Sequence, residues 1–188
     1  LMTPAESKTN LDNLITKLIR FEAHIDNDSP VEMVLPTVYR KYQSRYERYT
    51  IRQLCQELHD FYKAKKINVL QKKMFLKAYF PEYFMSPQEA NWALVRGQGE
   101  LIPLDEAEGR VALQAAVPYP PGVTCVQPGE RWTRIALDYF LDFAETADIL
   151  PGFAPELQGV YLEKDSMGHG KAKGYVLKKE YEKDYKNG

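Results

Sequence analysis

The sequence predicts an α+β protein: a helical N-terminal half followed by a mixed strand-and-helix C-terminal domain. Apolar residues recur at helical spacing through the first half. Short apolar runs bounded by Gly, Pro or charge crowd the second half, as strands do. Helical and strand patterns fall in separate stretches rather than alternating, which is the α+β arrangement. With 188 residues, 44% hydrophobic and 27% charged, the chain is a folded globular protein with a real core.

Leu11, Leu14, Ile15, Leu18, Ile19 and Ile25 set the first helical stripe, and Thr3-Pro4-Ala5-Glu6 has the form of its start. His24 falls near the end of that helix, where a surface or capping role suits it. Asp26-Asn27-Asp28-Ser29-Pro30 is a polar break and a candidate domain boundary. Val31 to Tyr39 is apolar but interrupted by Pro36. Tyr39, Tyr42, Tyr46 and Tyr49 then interleave with Arg40, Lys41, Arg45 and Arg48, which predicts a Tyr–Arg packing or subunit surface. Thr50-Ile51-Arg52-Gln53 has capping-box form, and Ile51, Leu54, Cys55, Leu58, Phe61 and Tyr62 make one stripe. Cys55 reads as a core residue beside a half-buried His59.

Val69 to Phe80 predicts a helix stopped by Pro81. Ser86-Pro87-Gln88-Glu89 starts another, running to Val95 and closed by Gly97. Leu101–Leu104, Val111–Val117, Val123–Val126, Gly159–Leu162 and Gly174–Leu177 read as strands. A helix over Ile135–Phe143, capped by Thr133, interrupts them. Pro151 to Pro155 is a stiff turn, Asp165 to Gly174 a polar hairpin loop, and Glu180 to Gly188 a charged end that frays or lies on the surface.

Composition narrows the chemistry. The 25 basic and 26 acidic residues give a net charge of −1, so no nucleic-acid partner is indicated. No apolar run approaches a membrane span and no signal-peptide pattern opens the chain. Cys55 and Cys125 are too few for a disulfide framework or a zinc cluster, and they suit a reducing cytoplasm. Cys55 and His59 stand one turn apart, but two ligands do not make a metal site. Gly168-His169-Gly170-Lys171 lacks the earlier glycine and the hydroxyl of a phosphate loop, and no Gly-x-Ser-x-Gly elbow is present. Glu106 and Glu108 could do acid–base work, though carboxylates this close in sequence are usually solvated. Leu1-Met2-Thr3-Pro4 reads like the end of a strand, which predicts a fragment of a longer chain.

One stretch stands out. Glu106-Ala107-Glu108-Gly109-Arg110 leads into an apolar run that stops at Pro118-Tyr119-Pro120-Pro121-Gly122-Val123. Three prolines fix φ and Gly122 permits an angle other residues avoid, so Tyr119 has little freedom. Either its ring packs on its own sheet, or the corner presents it to a pocket.

Tyr49 to Tyr62, Glu106 to Arg110, Pro118 to Val123, Pro128-Gly129-Glu130 and Leu150 to Tyr161 together resemble the C-terminal domain of bacterial ornithine decarboxylases, in the same order. These belong to the pyridoxal-phosphate (PLP) Orn/Lys/Arg decarboxylase family with the aminotransferase-like fold. The resemblance implies that residues 1–28 end the aminotransferase-like small domain and residues 29–188 form the C-terminal domain. It implies a full-length cytoplasmic homo-oligomer that turns ornithine into putrescine and carbon dioxide with PLP, a contribution to polyamine biosynthesis. It implies no catalytic, cofactor or metal residue within this fragment, because the family's Ser-x-His-Lys motif is absent; the fragment alone is then inactive. Its partners are the remaining domains of the same decarboxylase. Glu108, Tyr119, Pro120, Pro121 and Gly122 become candidates for the wall of the funnel leading to PLP, where a carboxylate favours a cation. A lysine or arginine decarboxylase, or a non-catalytic binding module derived from one, are the competing readings.

Overall fold

The structure, a computed structural model, describes residues 7–119, 122–164 and 170–185. The chain forms two compact units, residues 1–61 and 62–188. The expected helix start at Thr3 and the strand-like Leu1 to Pro4 lie outside the described residues.

In the first unit, helix α1 (Lys8–Asp26) begins at Ser7, whose Oγ accepts from the Asn10 amide at 3.2 Å. Asp28 takes a left-handed φ of 48° and turns the chain. His24 Nδ1 and the Oγ of buried Ser29 share a hydrogen bond of 3.0 Å, so His24 ties the helix end to the turn. Two further bonds hold this turn: Val31 N–H to Tyr49 O and Ile51 N–H to Ser29 O, both 2.9 Å. Helices α2 (Val31–Val34) and α3 (Pro36–Lys41) divide at Leu35, which leaves helical geometry because a proline follows. α4 (Gln43–Tyr46) ends in fully buried Tyr46, edge-on to Tyr49 at 5.9 Å. The Arg45 guanidinium lies over both rings at 5.3 and 5.0 Å and ion-pairs with Glu57, so the Tyr–Arg cluster is a packing device. α5 (Ile51–Ala64) starts with the expected reciprocal box between Thr50 and Gln53. One expectation fails here: Cys55 and His59 are both exposed. Ile51 and Leu54 carry the buried line of α5, and one residue beyond Leu54 the helix has already rotated ~100° away from it.

The second unit opens with α6 (Ile67–Met74). It is shorter than predicted: Phe75 and Leu76 are exposed beyond buried Met74, and a single 3₁₀ turn at Lys77–Tyr79 replaces the last turns. A helix that runs out of apolar surface to bury has little to hold it. α7 (Pro87–Val95) has the full capping box, Glu89 N–H to Ser86 Oγ at 3.2 Å and Ser86 N–H to Glu89 Oε2 at 2.7 Å. Gly97 closes it at φ 73°. Strand β1 (Gly99–Pro103) follows, then β2 (Val117–Tyr119), α8 (Arg134–Ile149), β3 (Glu156–Gln158), β4 (Tyr161–Lys164), β5 (Gly170–Leu177) and α9 (Glu182–Tyr185). β1, β5 and β4 form an antiparallel sheet in that order, while β2 and β3 form an antiparallel ribbon.

The core of this unit lies against α8. Leu137, Phe140 and Ala144 of α8 pack with Trp132, Val126 and Val176. Trp132 meets Phe140 edge-on at 5.8 Å and Tyr139 meets Phe143 at 4.5 Å. A smaller cluster joins Met85, Leu113 and Leu177, with Tyr181 and Tyr185 laid against it, so the charged C-terminal stretch is surface-bound through Tyr185; residues 186–188 are outside the described set.

Several predicted strands resolve differently. Val111 to Ala116 sends its donors to three separate segments: Ala112 to Glu130 O at 2.8 Å, Leu113 to Tyr175 O at 3.0 Å and Ala116 to Val126 O at 2.9 Å. It and Val123–Val126 therefore make isolated bridges rather than strands. Gly170 to Gly174 belongs to β5 rather than to a loop, and 165–169 lie outside the described residues. β3 was hidden behind the Pro151–Pro155 turn.

Candidate functional site

Glu108 sits in the turn after the 3₁₀ segment Leu104–Glu106. Buried Leu104 and Ala107 fix the inner side of that turn, and Gly109 adopts φ 72°. The Gly109 amide donates to Trp132 O at 2.8 Å and its carbonyl accepts from Arg131 at 2.6 Å. Arg110 donates to Glu100 at 2.5 Å and to Leu177 O at 2.7 Å, locking the turn to β1 and β5. Glu108 itself stays exposed, with the Arg134 guanidinium 3.9 Å away. Arg134 is held more closely by Asp138, at 2.6 Å, so the Glu108 carboxylate is only weakly neutralised.

Tyr119 ends β2. Pro118 before it is buried, and Tyr119 is 54% exposed. Gly122 has φ 81°, and its amide donates to Pro118 O at 3.0 Å, closing the corner. The Tyr119 ring edge rests on Gly122: a Cβ there would lie 2.9 Å from ring carbons Cδ2 and Cε2. Glycine is therefore required twice over, for its backbone angle and for the ring. Pro120 and Pro121 lie outside the described residues. Tyr119 thus projects from the ribbon rather than packing into the core. Across the ribbon Tyr119 pairs with Glu156, Pro118 with Leu157 and Val117 with Gln158. No bond joins Glu108 to Tyr119 among the described residues: the first faces Arg134, the second Gly122 and Glu156.

Acid–base groups deeper in the unit are structural. Burial pushes the Cys125 thiol and the Tyr139 phenol up to about 12 each, so both stay protonated at neutral pH. A groove of about 650 Å³ beside α6 and α8 is lined by Lys65, Lys66, Lys73, Tyr79, Phe80 and Arg134. Lys65 is engaged there by Asp142 at 3.2 Å and Glu145 at 2.5 Å; the Glu145 hydrogen bond holds its pKa above the ordinary value, while burial raises that of Asp142. Among the described residues no three His, Cys, Asp or Glu side chains could hold a metal ion, and no helix is long and apolar enough to cross a membrane.

Sequence reasoning missed the residues opposite Tyr119. The alternation Glu156-Leu157-Gln158, polar–apolar–polar, is the period of a half-buried strand and could have revealed that strand, though not its partner.

Known proteins resemble this chain over nearly its whole length. The family model for the Orn/Lys/Arg decarboxylase C-terminal domain matches residues 68–178, inside the second unit. The chain is 52% identical to the ornithine decarboxylase of Haemophilus influenzae over 177 residues, covering 94% of this chain and 25% of that protein. It is 52% identical to the constitutive ornithine decarboxylase of Escherichia coli over 178 residues, 95% of this chain and 25% of that protein. Among solved structures, lysine decarboxylase A from Pseudomonas aeruginosa superposes with a TM-score of 0.85 at 31% identity, over 95% of this chain and 24% of that one. The chain spans about a quarter of the length of the curated relatives it matches.

Proposed function

Since this chain belongs to the Orn/Lys/Arg decarboxylase family, as its C-terminal domain, we propose that it is part of an enzyme that converts ornithine to putrescine and carbon dioxide. One observation carries the choice of ornithine. Identity is 52% to ornithine decarboxylases but 37% to the lysine decarboxylase LdcA of Pseudomonas aeruginosa and 31% to the inducible lysine decarboxylase of Escherichia coli, over nearly the same stretch. That difference disfavours the lysine reading.

PLP is the electron sink of such a decarboxylase, but the residues described here do not fit it. Lys171 lies in β5 in register with Glu163 of β4, and Gly170 separates it in sequence from His169. The cofactor belongs to the remaining domains, and the 188-residue chain alone neither turns over ornithine nor takes up PLP. Residues 1–28 are the end of the preceding small domain, and the whole enzyme is a cytoplasmic homo-oligomer. Within it, Glu108 and Tyr119, with Pro120, Pro121 and Gly122 stiffening the corner, wall the entry funnel. An exposed carboxylate attracts a cationic substrate within ~10 Å at 0.1 M salt.

The test is steady-state decarboxylation by the full-length enzyme at two ionic strengths. Tyr119→Ala and Glu108→Gln should lower kcat/KM for ornithine with PLP content and melting temperature unchanged, the Glu108 effect fading in high salt. Glu180→Gln, another exposed carboxylate of the same unit, is the control. A full-length wild type that leaves ornithine untouched removes the reading. Unchanged capture in both variants leaves the domain a packing role.

A further inference from the structure

Glu108 is not the carboxylate that the fold sets beside Tyr119. In the β2–β3 ribbon Tyr119 stands directly opposite Glu156. Side chains directly opposite on antiparallel strands share one face, with Cβ atoms ~4.5–5.5 Å apart. Pro118 and Leu157, the next pair along, point the other way: Pro118 is buried and Leu157 packs on the main core. The outward face therefore displays an aromatic ring, a carboxylate and, one pair further, the Gln158 amide.

All three are exposed. Among the described residues neither the Glu156 carboxylate nor the Tyr119 hydroxyl has a hydrogen-bond or ion-pair partner, whereas Glu108 has Arg134 at 3.9 Å. The ribbon is also indexed. Gly159, just after β3, has φ 73°, and a Cβ there would stand 2.0 Å from Ala115 O, so the backbones are in direct contact. Gly122 holds the other end under the Tyr119 ring. A one-residue slip would turn Tyr119 and Glu156 inward, and this close contact opposes it.

An aromatic ring and an unpaired carboxylate displayed on one face can receive an alkylammonium: the ring attracts the cation through its quadrupole and the carboxylate accepts its N–H groups. We infer that Tyr119 and Glu156 together bind the side-chain ammonium of the diamino acid substrate on its way to the reaction centre, with Glu156 as a specificity-determining residue. This inference rests on the reading of the enzyme as an ornithine decarboxylase.

The experiment uses the full-length enzyme. Glu156→Gln should raise KM for ornithine roughly three- to fivefold with kcat unchanged, the worth of one exposed charge pair, and the increase should shrink at high salt. Putrescine, which keeps both amines, should lose affinity as a competitive inhibitor by the same factor. 2-Aminopentanoate, which is ornithine without its side-chain amine, should bind wild type and variant alike. Tyr119→Leu provides a second variant with the same pattern and no salt dependence. Glu156→Asp, which keeps the charge, should restore most of the affinity. Unchanged KM in Glu156→Gln and Tyr119→Leu overturns the inference while ornithine turnover stands. Equal weakening of putrescine and 2-aminopentanoate also overturns it, since the pair would then not read the second amine. A wild type inactive on ornithine takes down the functional reading and this inference together.

Discussion

Helices α1 and α8 carry the same kind of apolar stripe, yet they end differently. α8 buries Leu137, Phe140, Phe143 and Ala144 along one side. α1 buries nothing: Leu18 is 58% and Ile19 60% exposed. Both are helical, both are N-capped by a hydroxyl, and both follow a 3.6-residue period. Periodicity therefore reports which side of a helix is apolar, and whether that side is covered depends on what the rest of the molecule supplies. An uncovered stripe of this size on a folded chain marks an interaction face. It fits the proposal that residues 1–28 pack in a longer protein.

The largest expected contrast comes from truncating one residue in each helix. Phe140→Ala should cost ~3–5 kcal/mol, since Phe140 is fully buried against Trp132 and Tyr139. Leu18→Ala should change stability by less than ~0.5 kcal/mol. Urea melts of both variants decide it, and a comparable loss at Leu18 would mean that α1 has a covered face after all. A second contrast compares glycines. Gly159→Ala should cost ~2–5 kcal/mol, from left-handed strain and the collision with Ala115 O. Gly97→Ala meets nothing within 4 Å, so it should cost only the ~1–2 kcal/mol of its φ.

Alkaline pH should weaken both units. Burial raises Tyr46 in the first unit, and Cys125 and Tyr139 in the second, to about 12, above their ordinary values of 10.0, 9.0 and 10.0. The unfolded chain releases these protons from about pH 9 upward while the fold retains them, so stability is intact below ~9 and falls as pH rises toward 12. Tyr139→Phe should flatten that limb in thermal melts taken between pH 8 and ~11.5. The caps contribute a modest effect. Ser86→Ala should cost ~1–2 kcal/mol because the box with Glu89 is reciprocal, and Ser7→Ala ~0.5–1 kcal/mol, both read from circular dichroism melts.

Local signals were legible wherever a residue acts on its neighbours. Ser86-Pro87-Gln88-Glu89, Thr133 and Gly97 each mark a helix end where the structure has one. Signals failed where the partner is distant. Val111 to Val117 looks like a strand because it is apolar, but its hydrogen bonds scatter over segments around residues 126, 130 and 175. Cys55 sits next to a core residue in sequence and outside the core in space. At the candidate site, the stiffness of the Tyr119 corner could be read from Pro118 and Gly122. Glu156 could not be placed beside it, because strand register across some forty residues is written in no local motif.

The position of β1 has a consequence for biosynthesis. Gly99 pairs with Leu177 and Pro103 with Lys173, so β1 must wait for chain made ~70 residues later, roughly 4–14 s at ~5–20 residues per second. During that interval β1 has an open edge and α8 emerges before β5, which contributes Ala172 and Val176 to the core around it. The nascent second unit is thus a helix-rich intermediate with β1 and then β4 unpaired, open to wrong pairing or to a chaperone until β5 leaves the ribosome.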